Sequence, residues 1–489
     1  MLAFWGVAAI HLGLSVSFHL SPDEAHYALY ASHLDWSYFD HPPLVAWLQW
    51  PFLQLGGSDV LMRCLPMMSW LLTAVLLKPL TVSLYPSLNR ASMWGLRWEW
   101  WLLGLSLLPH LLGIALVPDT LLMPLTCAVM VLTWRLCRPN PPQQLKLWLA
   151  LGVLLGLSGL AKYTAVFLAL GVLLSLLQAH GLRVFRQSGV WWSLGVALVC
   201  VVPVFYWNHE HDWASFRYQL NHAAGQSHWQ WLNALRFTLV IWLAYGLILP
   251  FVWWVGLRHT SAVAGEPPAR LTAHRLGLYF GLPSLLLWIY LSGRGSTLPH
   301  WATPAVVALL PLGAWGCHHW ASGREKIRQV LWMIQALACV VFFGLMLAGG
   351  LPGDATQDKP RANPFADLYG WREAAEMASK LAERHHANAL AVTNWSLASR
   401  VAWYARPIPV KVVNTHADQF DLWFGGLQPS DRVVWINWSL MRFEPPTAPH
   451  QFQSCERLDE MPLSHWGRPI ALFDFWLCQG WTELTTRRP

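Results

Sequence analysis

Long apolar runs separated by short polar junctions fill the first 350 residues of this chain. Runs approaching or exceeding membrane-spanning length recur at 2–20, 61–83, 98–117, 120–137, 147–160, 163–180, 190–207, 233–257, 276–292, 302–320 and 329–349. They predict about eleven transmembrane helices, a spanning helix needing roughly 20 apolar residues. The run at 147–160 is short but is counted as its own helix. Two stretches break the pattern. The first is the loop 21–60, with its polar island Ser21–Gln49. There Ser21-Pro22-Asp23-Glu24 has the form of a capping box with Pro at the first helical position. It predicts a helix from Pro22 to about His33. Asp40-His41-Pro42-Pro43 predicts a second helix, lying along the membrane surface. The second stretch is the tail, 350–489. GWREAAEMASKLAERHH has a helical period there, and so does SLASRVAWYA. NALAVTN, PIPVKVVN, RVVWIN and PIALFDFWLC read as strands. The expected fold is a polytopic α-helical membrane domain, 1–349, followed by a small extracytoplasmic α/β domain, 350–489.

Composition supports the membrane reading. Only 12% of the residues are charged, against about 25% in soluble domains. Many of the 34 Trp residues stand near the ends of apolar runs, as interface belts require. The net charge of +7 gives no argument for nucleic acid, because in such a chain Lys and Arg are sorted by topology. Met1–Leu20 lacks a basic leader and a small-residue cleavage site, so it reads as a first span. With the N-terminus cytoplasmic, the clusters Lys78/Arg90, Arg135/Arg138/Lys146, Arg183/Arg186, Arg258/Arg270/Arg275 and Arg324/Lys326/Arg328 all fall inside. The opposite loops keep only isolated cations. Loop 21–60 and the tail are then outside. Six of the eight Cys lie in or beside apolar runs and read as inert hydrophobes. The other two, Cys455 and Cys478, stand alone in the tail. In a Gram-negative host that side is oxidising, and a disulfide between them is expected. No Cys/His cluster has zinc-ligand spacing.

Candidate chemistry collects at the outer junctions, each residue with a plain structural alternative. Glu24 at N3 has an adequate role in the capping box. Asp23 is not needed for that box, and His26, Tyr27 and Tyr30 share its helix face. Asp40 can cap the helix after it, with His41 beside it. Asp119 in LVPDTLL is either a cap or a carboxylate facing a cavity. Lys162 in SGLAKYTAV either snorkels to the interface or binds a lipid phosphate as a point charge. Arg294 and His300 form another polar junction, and Arg217 a further one. Independent caps would occur on both membrane faces. Acids and cations converging on one face suggest a site for an anionic head group.

These same pieces resemble a known family. PDEAHYA, DHPPL, VPDTLLMP, GLAKYT, HDWASFRYQL, LPHWATPAVVALLPL and DLYGWREAA occur in the order found in GT-C glycosyltransferases of the protein-O-mannosyltransferase and aminoarabinose-transferase type. The resemblance covers roughly the whole membrane region. It implies an inverting transfer of a sugar from a polyprenyl phosphate, such as undecaprenyl phosphate, at the outer face of a bacterial inner membrane. The acceptor would be lipid A, a glycolipid or another envelope glycan. Asp23 would be the catalytic or acceptor-positioning acid, supported by Glu24, with Asp119 as second acid. Lys162 would hold the donor phosphate, assisted by Arg294, His300 and His41. His26, Tyr27, Tyr30, Asp40 and Arg217 would line the substrate. Some relatives carry Arg where His26 stands and Lys where His41 stands, and neutral His holds phosphate less firmly. The sequence establishes no cofactor. A divalent ion between Asp23 and Asp119 is compatible with the chemistry, but no ligand spacing establishes it. Two other classes compete: a flippase for lipid-linked saccharides, and a surface-polysaccharide polymerase or ligase. A flippase would carry charges near the bilayer midplane, whereas these sit mostly at helix ends.

Overall fold

A computed structural model describes residues 2–90, 92–93, 95–138, 144–224, 228–259, 272–295, 297–320, 325–351, 363–413, 417–440 and 452–482, with the side chains of all but 2–3 and 221–224. The chain forms two compact units that interleave along the sequence. One takes Met1–His11, Asp35–Leu48 and Arg63–Val340; the other takes Leu12–Leu34, Gln49–Met62 and Val341–Pro489. The boundary expected at 349/350 follows chain order, whereas compactness groups parts of the first polar loop with the tail.

Among the described residues, seven helices are long and apolar enough to cross a membrane, and a bent pair brings the number to eight. The remaining apolar runs are helical but shorter. Leu2–Ser15 and Thr303–His319 are single helices. The run at 98–117 is not one span: it breaks into Trp98–Gly104 and Leu107–Leu112. The break falls at Ser106, whose hydroxyl oxygen lies 2.6 Å from the Leu102 carbonyl oxygen. Pro109, three residues on, has no N–H to carry the helix back across the break. A short ribbon of β1 (Ser92–Met93) and β2 (Leu96–Arg97) precedes it.

Two features of the helical unit position its polar residues. Helix Gln144–Ala161 lies close against Ser188–Glu210 because Gly152 and Gly156 face it. A Cβ on Gly152 would come within 2.5 Å of the Ser193 carbonyl, and one on Gly156 within 2.4 Å of the Cys200 Cβ. This is the small-residue contact that lets membrane helices approach closely. It fixes the helix whose end delivers Lys162. The second feature is the 86° bend between Trp231–Tyr245 and Leu249–Arg258. Gly246 supplies it at φ +137°, a conformation that L side chains rarely adopt. Carbonyls freed by the bend are satisfied: Ser106 donates to Tyr245 O at 2.5 Å and Gln335 to Leu243 O at 3.0 Å. Irregular backbone at membrane depth requires such partners.

The second unit carries a five-stranded mixed sheet in the order β4-β3-β5-β7-β6. Parallel pairs join β3 (Ala389–Val392) to β4 (Val410–Val412) and to β5 (Arg432–Trp438). The antiparallel strands are β7 (Arg468–Trp481), against β5, and β6 (Phe452–His465), against β7. Helix Trp395–Tyr404 forms the β3–β4 crossover, as a parallel pair demands. The strand runs seen in the sequence correspond to β3, β4, β5 and β7. The β6 strand had no counterpart among them, because its CERLDE stretch is charged and largely exposed. Cys455 and Cys478 face each other across β6 and β7 and form a disulfide. Trp371–Arg384 is amphipathic, burying Trp371, Ala374, Ala375, Ala378, Leu381 and Ala382 on one face.

Parts of the first polar loop complete this core. Ala25, Ala28 and Leu29 of helix Pro22–Ser32 pack with Leu397, Ala398 and Val401 of the crossover helix. Asp59 anchors the next stretch. It accepts from Arg372 Nη2 at 3.0 Å, Tyr404 Oη at 2.8 Å and Trp403 Nε1 at 3.3 Å.

Candidate functional site

Two constellations carry the candidate chemistry, one in each unit. In the helical unit, Pro118 opens helix Pro118–Leu136 and Asp119 follows in its first turn. The cap itself does not use Asp119. Thr120 Oγ1 accepts from the Val117 amide at 3.2 Å. The Asp119 carboxylate is 1% exposed, and Lys162 Nζ donates to its Oδ2 at 2.6 Å. Lys162 does not snorkel: it stands extended at the head of a short 3-10 turn, Tyr163–Ala165, and is 6% exposed. Its ammonium lies 5.3 Å from the Trp301 ring centroid, within cation–π range. His300 Nε2 approaches the same Asp119 oxygen at 3.6 Å, an ion-pair distance longer than a hydrogen bond. The turn carrying His300, Pro299–Ala302, is held from the bend helix. Tyr245 Oη donates to Pro299 O at 3.0 Å and lies 2.6 Å from Thr303 Oγ1.

The other Asp119 oxygen, Oδ1, is buried with no hydrogen-bond partner among the described residues. A buried carboxylate oxygen left so is costly in a purely structural ion pair. One carboxylate, one Lys with spare donors and one partly buried His therefore form a compact polar group that can admit a further polar ligand. A narrow crevice lined by Leu122, Phe167, Phe280, Trp288, Thr164 and Trp301 lies beside it. Thr164 and Trp301 follow Lys162 and His300 closely in sequence, so the crevice is apolar space next to the charges.

The remaining candidates of this unit are spread out. Asp40 does not cap the following helix, which starts only at Leu44. Its main-chain carbonyl accepts from Gln219 Nε2 at 2.6 Å, and its carboxylate lies 4.0 Å from His41 Nε2. Arg217 is exposed on helix Ala214–Ala224. Arg294 follows helix Ala273–Ser292, its amide bonded to Leu291 O. Asp35, which the sequence did not single out, braces the loop: its Oδ2 accepts from Trp207 Nε1 at 2.8 Å, and its carbonyl from Trp47 Nε1 at 3.0 Å. A lone acid next to Trp gave no periodic signal.

In the second unit, Glu24 performs the capping job its spacing suggested. Its Oε2 accepts from the Ser21 amide at 3.0 Å and the Ser21 hydroxyl at 2.9 Å. Asp23 is half-buried at the same helix start. His26, Tyr27 and Tyr30 are 3%, 5% and 0% exposed, so none is open to a substrate in this state. His26 Nδ1 lies 3.1 Å from Ser399 Oγ, and its ring packs among Tyr30, Trp395 and Trp423. Arg400 is a further buried charge that the sequence did not mark: in SLASRVAWYA it looks like the polar face of a helix. It pairs with Asp367 and is 1% exposed. Among the described residues no three His, Cys, Asp or Glu side chains gather as a metal-ligand group.

Comparison with known proteins bears on the fold and the kind of protein. Residues 40–207 match the family model of dolichyl-phosphate-mannose-protein mannosyltransferases. Lipid A galacturonosyltransferase RgtD of Rhizobium johnstonii is 25% identical over 343 residues, covering 67% of this chain and 68% of that protein. Crystal structures of ArnT from Cupriavidus metallidurans, in the apo state and bound to undecaprenyl phosphate, superpose with TM-scores of 0.61 and 0.61. The identities are 16% and 18%, over 97% of each chain. That likeness fixes the fold, with its helical membrane part and small sheet-bearing part. The partial family match, the curated relative and the solved structures agree, and the chain has the GT-C fold of membrane glycosyltransferases.

Proposed function

We propose that this protein transfers a single sugar from undecaprenyl phosphate to lipid A at the outer face of a bacterial inner membrane. The observation that carries the reading is the buried Asp119–Lys162–His300 group, in which the Lys162 ammonium keeps donors beyond its bond to Asp119. A polyprenyl phosphate needs a fixed cation for its phosphate, and Lys162 is placed to supply one. The relatives support the ligand class, since RgtD is described as a lipid A galacturonosyltransferase and ArnT was crystallised with undecaprenyl phosphate. Lys and Arg asymmetry supports a cytoplasmic N-terminus, and the tail disulfide supports an oxidising side for the second unit.

The reaction is a single displacement. An acceptor oxygen attacks the anomeric carbon, the bond from that carbon to the phosphate oxygen breaks, and undecaprenyl phosphate leaves with the electron pair. Configuration at the sugar inverts. Lys162, as a point charge already held by Asp119, stabilises the negative charge that grows on the departing phosphate. His300 shares Asp119 with Lys162 and so sets how much of the carboxylate's charge Lys162 must neutralise. Asp23 takes the proton where the acceptor is a hydroxyl and orients it where the acceptor is a phosphate.

Donor recognition is tested apart from turnover. Undecaprenyl phosphate added at about 100 times its Kd should stabilise the detergent-solubilised protein by about 2.7 kcal/mol, read as a rise in Tm. Lys162→Met should lose most of that rise. An equal rise in the variant would remove Lys162 from the phosphate site.

A further inference from the structure

Among the described residues of the tail domain Arg400 has the least accessible guanidinium, and nothing in the proposed reaction uses it. Its Nη1 donates to the Asp367 carbonyl at 3.1 Å and to the Asp367 carboxylate, and its Nε donates to Ser396 O at 3.2 Å. The guanidinium lies flat against Trp371, 3.6 Å from the ring centroid. Burying a charge in this way is expensive, and a neutral side chain of similar volume would pack at less cost. Burial pushes its pKa well below the usual value for arginine, with Tyr404 and Asp23 opposing that fall.

Geometry places Asp23 at the same level. Helices Pro22–Ser32 and Trp395–Tyr404 run antiparallel within this unit. At one end the Leu20 amide donates to Tyr404 Oη at 2.9 Å; at the other, His26 Nδ1 meets Ser399 Oγ at 3.1 Å. Asp23 lies midway between Leu20 and His26, and Arg400 lies between Ser399 and Tyr404. The other charged or titratable groups of this corner include His19, Glu24, His26 and Asp59 from the first-loop segments, and Asp367, Arg372, Glu373, Tyr404 and Arg406 from the tail.

We propose that Arg400 is a positioning residue for Asp23: through it the tail domain holds the Asp23 carboxylate ionised and oriented. The assignment rests on the reading of Asp23 as the reaction's acid, and it gives the tail a part in the chemistry beyond stability.

Two measurements on the full-length protein test this. The first needs no activity. A double-mutant cycle of D23N and R400M, read as Tm near neutral pH, should show R400M costing several degrees more in the wild type than in the D23N background. That difference should shrink as pH falls through the carboxylate range, about pH 5 to 3, because the protonated acid no longer feels the guanidinium. If R400M does not fold, the wild-type-minus-D23N difference in Tm over the same range stands in; it should grow as pH rises. Additivity in the cycle, or a difference flat with pH, overturns the proposal. The second is the pH–rate profile with lipid A as acceptor and, as donor, the undecaprenyl phosphate monosaccharide that a panel of such donors shows the protein to use. R400M should move the acid limb to higher pH, giving about a tenfold lower rate on that limb for each unit moved. R400K, which keeps the charge, should restore much of the wild-type limb. A uniform loss at all pH values would mark Arg400 as merely structural. Full transfer by D23N with the Tm coupling intact would instead remove the catalytic reading of Asp23 while leaving its pairing with Arg400.

Discussion

Lys162→Met is expected to lower the initial rate of sugar transfer by roughly 10²–10³-fold, the usual loss when one preorganised donor is taken from a developing oxyanion. The same change leaves Asp119 buried without its cation, which on its own destabilises by about 3–5 kcal/mol. The two effects are separable because the stability loss runs through Asp119, to which buried Lys162 donates, whereas the rate loss runs through the donor phosphate. Combining Lys162→Met with Asp119→Asn removes both charges, so stability should largely return. Transfer should not return, since the donor phosphate still lacks its cation. Recovery of transfer in the double variant would show that the pair only braces the two helix ends. Lys162→Arg is also expected to be impaired, because a planar fork replaces a compact ammonium in a slot bounded by Trp301.

Asp23→Asn is expected to cut turnover by about 10²–10⁴-fold where the acceptor is a hydroxyl, with expression retained and Tm lowered near neutral pH by the lost pairing with Arg400. Glu24→Gln is the matched control. Gln at N3 can still close the capping box with Ser21, so the helix start should survive and most activity with it. Rates measured side by side decide between the neighbours. A loss in Glu24→Gln as deep as that in Asp23→Asn would move the acid by one residue. Near-full turnover in Asp23→Asn would take the chemistry out of this helix altogether.

Much of this architecture was legible because it is periodic or local. Apolar runs marked the helices, and short β-branched runs marked β3, β4, β5 and β7. The capping box at Ser21–Glu24 follows from four adjacent residues. Asp119 and Lys162 stood out because single charges between apolar helices have few cheap explanations. What escaped was long-range. Asp59 meets Arg372 and Tyr404, more than 300 residues away in the chain, and no spacing announces such a contact. Arg400 looked like a solvated helix position, yet the face it occupies is covered by Trp371 and Trp438. His26, Tyr27 and Tyr30 share a face with Asp23 as expected, but that face is packed into the core of the second unit. The break at Ser106 was hidden because an apolar composition is the same in one long helix and in two short ones. The β6 strand was hidden by charge, since a strand on an exposed sheet edge has no need of an apolar face.

The central claim is that the Asp119–Lys162–His300 group receives the phosphate of a lipid-linked monosaccharide, and that the protein moves that sugar to lipid A. Its most direct test is mass spectrometry of lipid A after incubation with the purified full-length protein and a panel of undecaprenyl phosphate monosaccharides. The expected result is lipid A heavier by one sugar residue with one donor of the panel, free undecaprenyl phosphate in equal amount, and neither product with Lys162→Met. Unmodified lipid A with every donor, or addition of a preassembled glycan instead of one sugar, would contradict it.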